Sequence, residues 1–143
     1  MIRAYKDSDI DDVLNVWYSS TIIAHDFIPT SFWEGEKDAV RHKYMPVAET
    51  YVFDNDGEIR GFISVLEGKE IGALFVSPIH QGCGIGKALL DHVFSIRKSY
   101  TLHVFEQNHK ARGFYTAMGF KESSKGIEPT SKFPELILKK IMP

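Results

Sequence analysis

Residues 81–87 read Gln81-Gly82-Cys83-Gly84-Ile85-Gly86-Lys87. Three alternating glycines remove Cβ atoms where a ligand could approach the backbone closely. Ile85, Leu89, Leu90, Val93 and Phe94 follow at helical spacing, so the loop opens a helix. The free amides and positive dipole end of a helix N-terminus suit an anion such as a pyrophosphate. Lys87 in the first turn can add a charge. A tight strand-to-helix turn that holds no ligand is the alternative. Two other phosphate loops fit badly. Gly86-Lys87 is followed by Ala88 and position 81 is Gln, which breaks the Walker pattern. Gly84-Ile85-Gly86 is followed by Lys87, Ala88 and Leu89, so the dinucleotide glycine pattern is absent too.

A second group follows: Asn108, Ala111, Phe114-Tyr115 and Gly119-Phe120. Gln81, Gly84 and Gly86 fit Gln/Arg-x-x-Gly-x-Gly/Ala. Together with Ala73-Leu74-Phe75-Val76-Ser77-Pro78 before the loop, the chain resembles the GNAT superfamily of N-acetyltransferases, and within it small single-domain bacterial members. The segment with His25-Asp26-Phe27 adds to that likeness. The resemblance implies acetyl-CoA as co-substrate. It implies that backbone amides of Gly82, Cys83, Gly84, Ile85, Gly86 and Lys87 bind the CoA pyrophosphate, beside Gln81. Leu74, Phe75 and Val76 would pair with the pantetheine arm as another strand would, and an amide there would polarise the thioester carbonyl. Asn108 would contact the pantetheine or fix splayed strands. Ala111, Phe114 and Tyr115 would line the donor site, with Tyr115 near the sulfur.

Acetyl transfer to an amine poses two proton problems. A lysine-like amine has a pKa of about 10.4 and must lose a proton to attack. The leaving thiolate, of pKa about 8.5, gains from a proton donor, and the oxyanion needs donors already in place. Tyr115 can supply the proton, since a phenol of pKa about 10 stays protonated near pH 7; otherwise it is a core aromatic of its helix. His103, five residues before Asn108, is the first candidate base, as a neutral imidazole acting directly or through water. Glu70 on the neighbouring strand is the second and Glu106 the third. Each can equally be a plain strand or surface residue, and a water relay needs none of them. His25, Phe27, Phe32 and Trp33 fall in the loop that borders the acceptor site in the family. They can wall an amine's apolar stem or simply anchor the loop. Glu70 is a further candidate acceptor contact. Cys83 stands where this loop often carries a basic residue. His80 and His92 match no metal-ligand spacing, and no metal is expected.

These residues need elements to hold them. Ile2–Tyr5 reads as a strand. Ser8-x-x-Asp11 reads as a capping box for a helix carrying Ile10, Val13, Leu14 and Trp17. Pro29 breaks that pattern, and Thr30 or Ser31 can cap a second helix that runs to about Tyr44. Three strands in a meander follow, over 50–53, 59–66 and 70–76, with Gly57 and Gly68 in the turns. After the loop and its helix come a strand over 100–105, a helix capped by Asn108 and stopped by Gly119, a strand from Phe120, and a last strand over 133–141. The order predicts a mixed α/β fold of GNAT type: a central, mostly antiparallel sheet with helices on both faces, forming one domain over 1–143.

The chain has 143 residues, 43% hydrophobic and 25% charged, with a formal charge of -2. That length can bury a core without disulfides, and the lone Cys83 can form none within the chain. The charge gives no general attraction to nucleic acid or to an anionic membrane, and it favours a cationic acceptor. No signal peptide or membrane-length apolar run is evident, so the expected setting is the cytoplasm, as a monomer or homodimer. The expected partner is a primary amine on a protein or small molecule. A non-catalytic acyl-CoA-binding domain, a thioester hydrolase and a small nucleotide-binding module are the rival readings.

Overall fold

The computed structural model describes residues 1–143. Seven strands form one sheet: β1 Ile2–Ala4, β2 Glu49–Asn55, β3 Glu58–Leu66, β4 Glu70–Val76, β5 Ser99–Phe105, β6 Lys121–Ile127 and β7 Pro134–Ile141. Their spatial order is β1-β2-β3-β4-β5-β7-β6. Only β4 and β5 pair in parallel; the other pairings are antiparallel. Four helices accompany the sheet: α1 Ile10–Ala24, α2 Thr30–Ala39, α3 Ile85–Ile96 and α4 His109–Ala117. Element order, mixed sheet and meander all match the sequence reading.

Strand alternation divides the core into two layers. Val52, Phe62 and Ala73 face α1 and α2, where they meet Val13, Leu14, Trp17 and Trp33. Ile63, Val65, Ile71 and Leu102 face the other way, against Ile85, Leu89, Leu90 and Val93 of α3 and Tyr115 of α4. The helices therefore cover both faces, as expected.

Three local expectations are corrected. Ser8 does not cap α1. The Asp9 carboxylate instead accepts the Lys6 amide at 2.8 Å, within a short 3-10 turn, Asp7–Asp9, ahead of the helix. Arg3 grips the same carboxylate through two nitrogens, at 2.8 and 2.9 Å, and holds it below the usual carboxylate range. The α2 N-cap is Pro29, so neither Thr30 nor Ser31 plays that part. The second helix does not stay regular to Tyr44. Val40–Tyr44 winds as a π turn, with the Met45 amide donating to the Val40 carbonyl at 2.9 Å. No helix is long and apolar enough to cross a membrane.

Candidate active site

The site starts from a defect in the sheet. On β4, Ile71 faces Val65 and Ala73 faces Ser64, which leaves Gly72 as an extra residue without a partner. This is a β-bulge, which bends a strand and breaks its ladder locally. On the other edge, β4 pairs with β5 only at Glu70↔Thr101 and Ile71↔Leu102. Beyond Ile71 the two strands part. Leu74, Phe75 and Val76 remain paired with β3 on one side and have no strand on the other. Apart from the Val76 carbonyl, which Gln81 occupies, the backbone groups that point away from β3 are open to an extended ligand, which can add to the edge as a strand does.

A cavity of about 260 Å³ occupies the gap, with 15 hydrophobic residues among the 20 that line it. Leu74 and Phe75 of β4, Leu102 and His103 of β5, and Asn108 and Tyr115 of the α4 region all reach it. A second depression, about 530 Å³, lies between α1 and the β2–β3 turn. It is lined mostly by polar residues such as Asp12, Asn15 and Glu58 and touches none of the residues at the gap.

Beside the cavity, the glycine loop has the backbone that anion binding requires. No amide from Gly82 to Lys87 donates to any group of the protein. Gly84 is the α3 N-cap with φ of 85°, and no atom lies within 4 Å of a Cβ built there. A phosphate could therefore approach these amides directly. Lys87 points along the helix, with Nζ 2.7 Å from Asp91 Oδ2. Such an exposed pair is worth about 0–1 kcal/mol, so an incoming phosphate can compete for the ammonium. Gln81 ties the loop down: its Nε2 donates to the Val76 carbonyl at 3.0 Å, and its Oε1 accepts from Lys110 Nζ at 2.8 Å. Lys110 brings from α4 a positive charge that Cys83 does not supply. Cys83 itself is exposed and unpaired with any other cysteine.

The start of α4 is fixed by a buried relay. Asn108 Oδ1 accepts the Ala111 amide at 3.1 Å, the N-cap bond its sequence position predicts. That bond turns Asn108 Nδ2 toward His25, and it donates to Nε2 at 3.1 Å. With Nε2 accepting, Nδ1 carries the proton and donates to Thr21 Oγ1 at 2.8 Å. Burial pushes the His25 pKa down to about 4, so the ring is neutral. His25 and Trp33 reach the cavity wall, but both His25 nitrogens are occupied. Phe27 is not part of that wall; it packs edge-on against Phe105 and tilted against Phe133, at centroid distances of 5.7 and 5.3 Å. Phe32 packs edge-on against Trp33.

Tyr115 is buried and lines the cavity. Desolvation pushes its phenol above the ordinary tyrosine value, which keeps it protonated. Phe114 packs on Tyr115 and beneath the loop at Gly86. At the rim, His103 Nδ1 donates to Glu135 Oε1 at 2.9 Å, while Nε2 lies 3.7 Å from Glu70 Oε1. Two predicted candidates, His103 and Glu70, are thus adjacent. Glu106 is not among the residues that line the cavity, and its backbone carbonyl accepts from Arg112 Nη1 at 2.9 Å. Glu135, Lys110 and Tyr44 escaped the sequence reading. Glu135 reaches His103 only through the β5–β7 register, and Tyr44 lies where helical periodicity ends. No three or more His, Cys, Asp or Glu side chains converge as a metal-ligand set.

Residues 46–122, which span the meander, the loop and α4, match the family model of the acetyltransferase (GNAT) domain. The chain belongs to the GNAT family. As a GNAT member it is an N-acetyltransferase, and its relatives carry that name. It is 37% identical over 120 residues to peptidyl-lysine N-acetyltransferase YiaC of Escherichia coli, covering 84% of this chain and 82% of that protein. The solution structure of apo YjaB from Escherichia coli superimposes with a TM-score of 0.87 at 30% identity, covering 100% of this chain and 98% of that one. The PaiA N-acetyltransferase of Thermoplasma acidophilum, solved with coenzyme A, has the same fold, with a TM-score of 0.84 at 20% identity over 99% of this chain and 98% of that one.

Proposed function

We propose that this GNAT chain, acting as one catalytic domain, moves an acetyl group from acetyl-CoA to the ε-amine of a lysine in a polypeptide. The observation that carries this reading is the gap between β4 and β5, which joins a free strand edge at one end to the Tyr115 phenol within. The undonated amides of the glycine loop fit the pyrophosphate, and Leu74 to Val76 fit the pantetheine amides. The acceptor class rests on the names of the relatives, both peptidyl-lysine N-acetyltransferases.

The residues divide the proton work. The amine nitrogen attacks the thioester carbonyl carbon in a ternary complex; the C–N bond forms and the C–S bond breaks. Backbone amides at the β4 bulge stabilise the oxyanion. Tyr115 passes its proton to the departing sulfur, a step for which a neutral phenol in a dry site is suited. His103 takes the proton from the amine. Its Nδ1–H is committed to Glu135, which selects the tautomer whose Nε2 can accept. The Glu70 and Glu135 carboxylates draw an ammonium to the rim.

An acceptor panel tests this reading: a lysine peptide, a peptide with only its N-terminal amine free, a polyamine and an aminoglycoside, each with acetyl-CoA and with products identified by mass. Acetylation of the lysine side chain with intersecting double-reciprocal plots supports direct transfer. Parallel plots, or acetylation confined to small amines, contradict it.

A further inference from the structure

Two polar atoms of cavity-lining residues are buried without a partner and have no part in the mechanism above, the indole Nε1 of Trp33 and the Tyr44 hydroxyl; only the hydroxyl can accept a hydrogen bond. Native proteins pair nearly all such groups, so an orphan next to a reaction site calls for a ligand. Its placement is built in from two sides. The π turn, with its i→i+5 bond from Met45 to Val40, carries Tyr44 out of the helical pattern. Such turns cluster at functional sites. Opposite it stands Gly72, the bulge residue of β4. The hydroxyl sits so close over Gly72 that a Cβ on any other residue would collide with it. Tyr44 and Gly72 thus form a matched pair at the point where β4 and β5 part.

The chemistry of the surroundings selects the ligand. Burial, then the Glu70 carboxylate, pushes the Tyr44 phenol up, so it is a neutral hydroxyl with lone pairs to offer. Ile71, Leu102 and Met45 beside it are apolar and suit an alkyl stem. Glu70 and the His103–Glu135 pair stand at the rim and suit a cationic head. We infer that Tyr44 is an acceptor-binding residue: its oxygen takes a hydrogen bond from the N–H of an unbranched primary alkylamine and aims the nitrogen at the thioester carbonyl beside the β4 bulge. The inference rests on the acetyl-transfer reading and adds the residue that holds the amine.

Tyr44→Phe tests it, because it removes one oxygen and keeps the ring. The wild type and the variant are compared with acetyl-CoA and a lysine peptide, and each is also melted without ligand. The inference predicts kcat/KM for the peptide lower by about tenfold, the worth of one good hydrogen bond. The KM for acetyl-CoA stays as it was. The unliganded variant melts at the same temperature or higher, because an unpaired buried hydroxyl is lost. Unchanged kcat/KM for the peptide overturns the inference. So does a fall in melting temperature with equal losses toward both substrates, which marks a structural tyrosine. If the wild type acetylates no amine at all, the acetyl-transfer reading fails first and takes this inference with it.

Discussion

Asn108 and His25 are 83 residues apart in sequence, yet Asn108 Nδ2 donates to His25 Nε2 at 3.1 Å. The contact ties the end of α1 to the first turn of α4, and so fixes the helix that carries Tyr115. It requires a neutral imidazole. His25 has a folded-state pKa of about 4, below the ordinary 6.5. Its contribution is therefore complete above about pH 6.5 and is lost as pH falls toward 4, because the unfolded chain takes up the proton first. The full difference is about 3 kcal/mol. His25→Gln should flatten the pH dependence of stability in that window relative to the wild type. Urea unfolding near pH 7 and about pH 5 reads the difference; parallel stability curves for the two proteins would show that His25 does not titrate this way.

Tyr115 has no competing task in the folded chain, since its ring packs on Phe120 and burial alone, with no hydrogen-bond partner, perturbs its phenol. Tyr115→Phe should lower kcat by about 10²–10⁴, the usual worth of a general acid. Affinity for acetyl-CoA should barely move. A variant with wild-type turnover would remove Tyr115 from the proton path.

Gly84 combines left-handed φ with empty space above its Cα. A side chain there costs about 1–2 kcal/mol of backbone strain. It also fills the volume assigned to phosphate. Gly84→Trp should abolish acetyl-CoA binding in calorimetry while the chain still folds with the same far-UV spectrum. Retained affinity would show that the loop is only a turn.

Much of this site can be read in the sequence. Gly84, Gly86, Asn108 and Tyr115 announce themselves because their roles are local: a left-handed N-cap, a side-chain cap, a helix-face phenol. The meander and both core layers follow from strand alternation for the same reason. What the sequence hides depends on register and long-range packing. Glu135 meets His103 only when β7 is laid against β5, and Lys110 meets Gln81 only when α4 swings back to the loop. The Gly72 bulge has no local signature, since it appears only as a mismatch between β3 and β4. His25 reads as a loop residue that can wall the acceptor, until burial and Asn108 claim its nitrogens.

The rim offers a separate test. Glu135 selects the His103 tautomer, so Glu135→Gln should disturb the base without removing it. His103→Ala should lower kcat/KM for the lysine peptide by about 10²–10⁴, the usual worth of a general base, and Glu135→Gln should lower it by a smaller factor. Wild-type kcat/KM in both variants would assign the proton to Glu70 or to water.

The central claim is transfer of acetyl to an amine, and it is tested most directly by following free CoA thiol from acetyl-CoA with and without a lysine-containing polypeptide, while counting acetyl-lysine by mass in the same samples. The account predicts thiol release that needs the polypeptide and equals the acetyl-lysine formed. Release at the same rate without any amine, or bound acetyl-CoA with no release in either case, would contradict it.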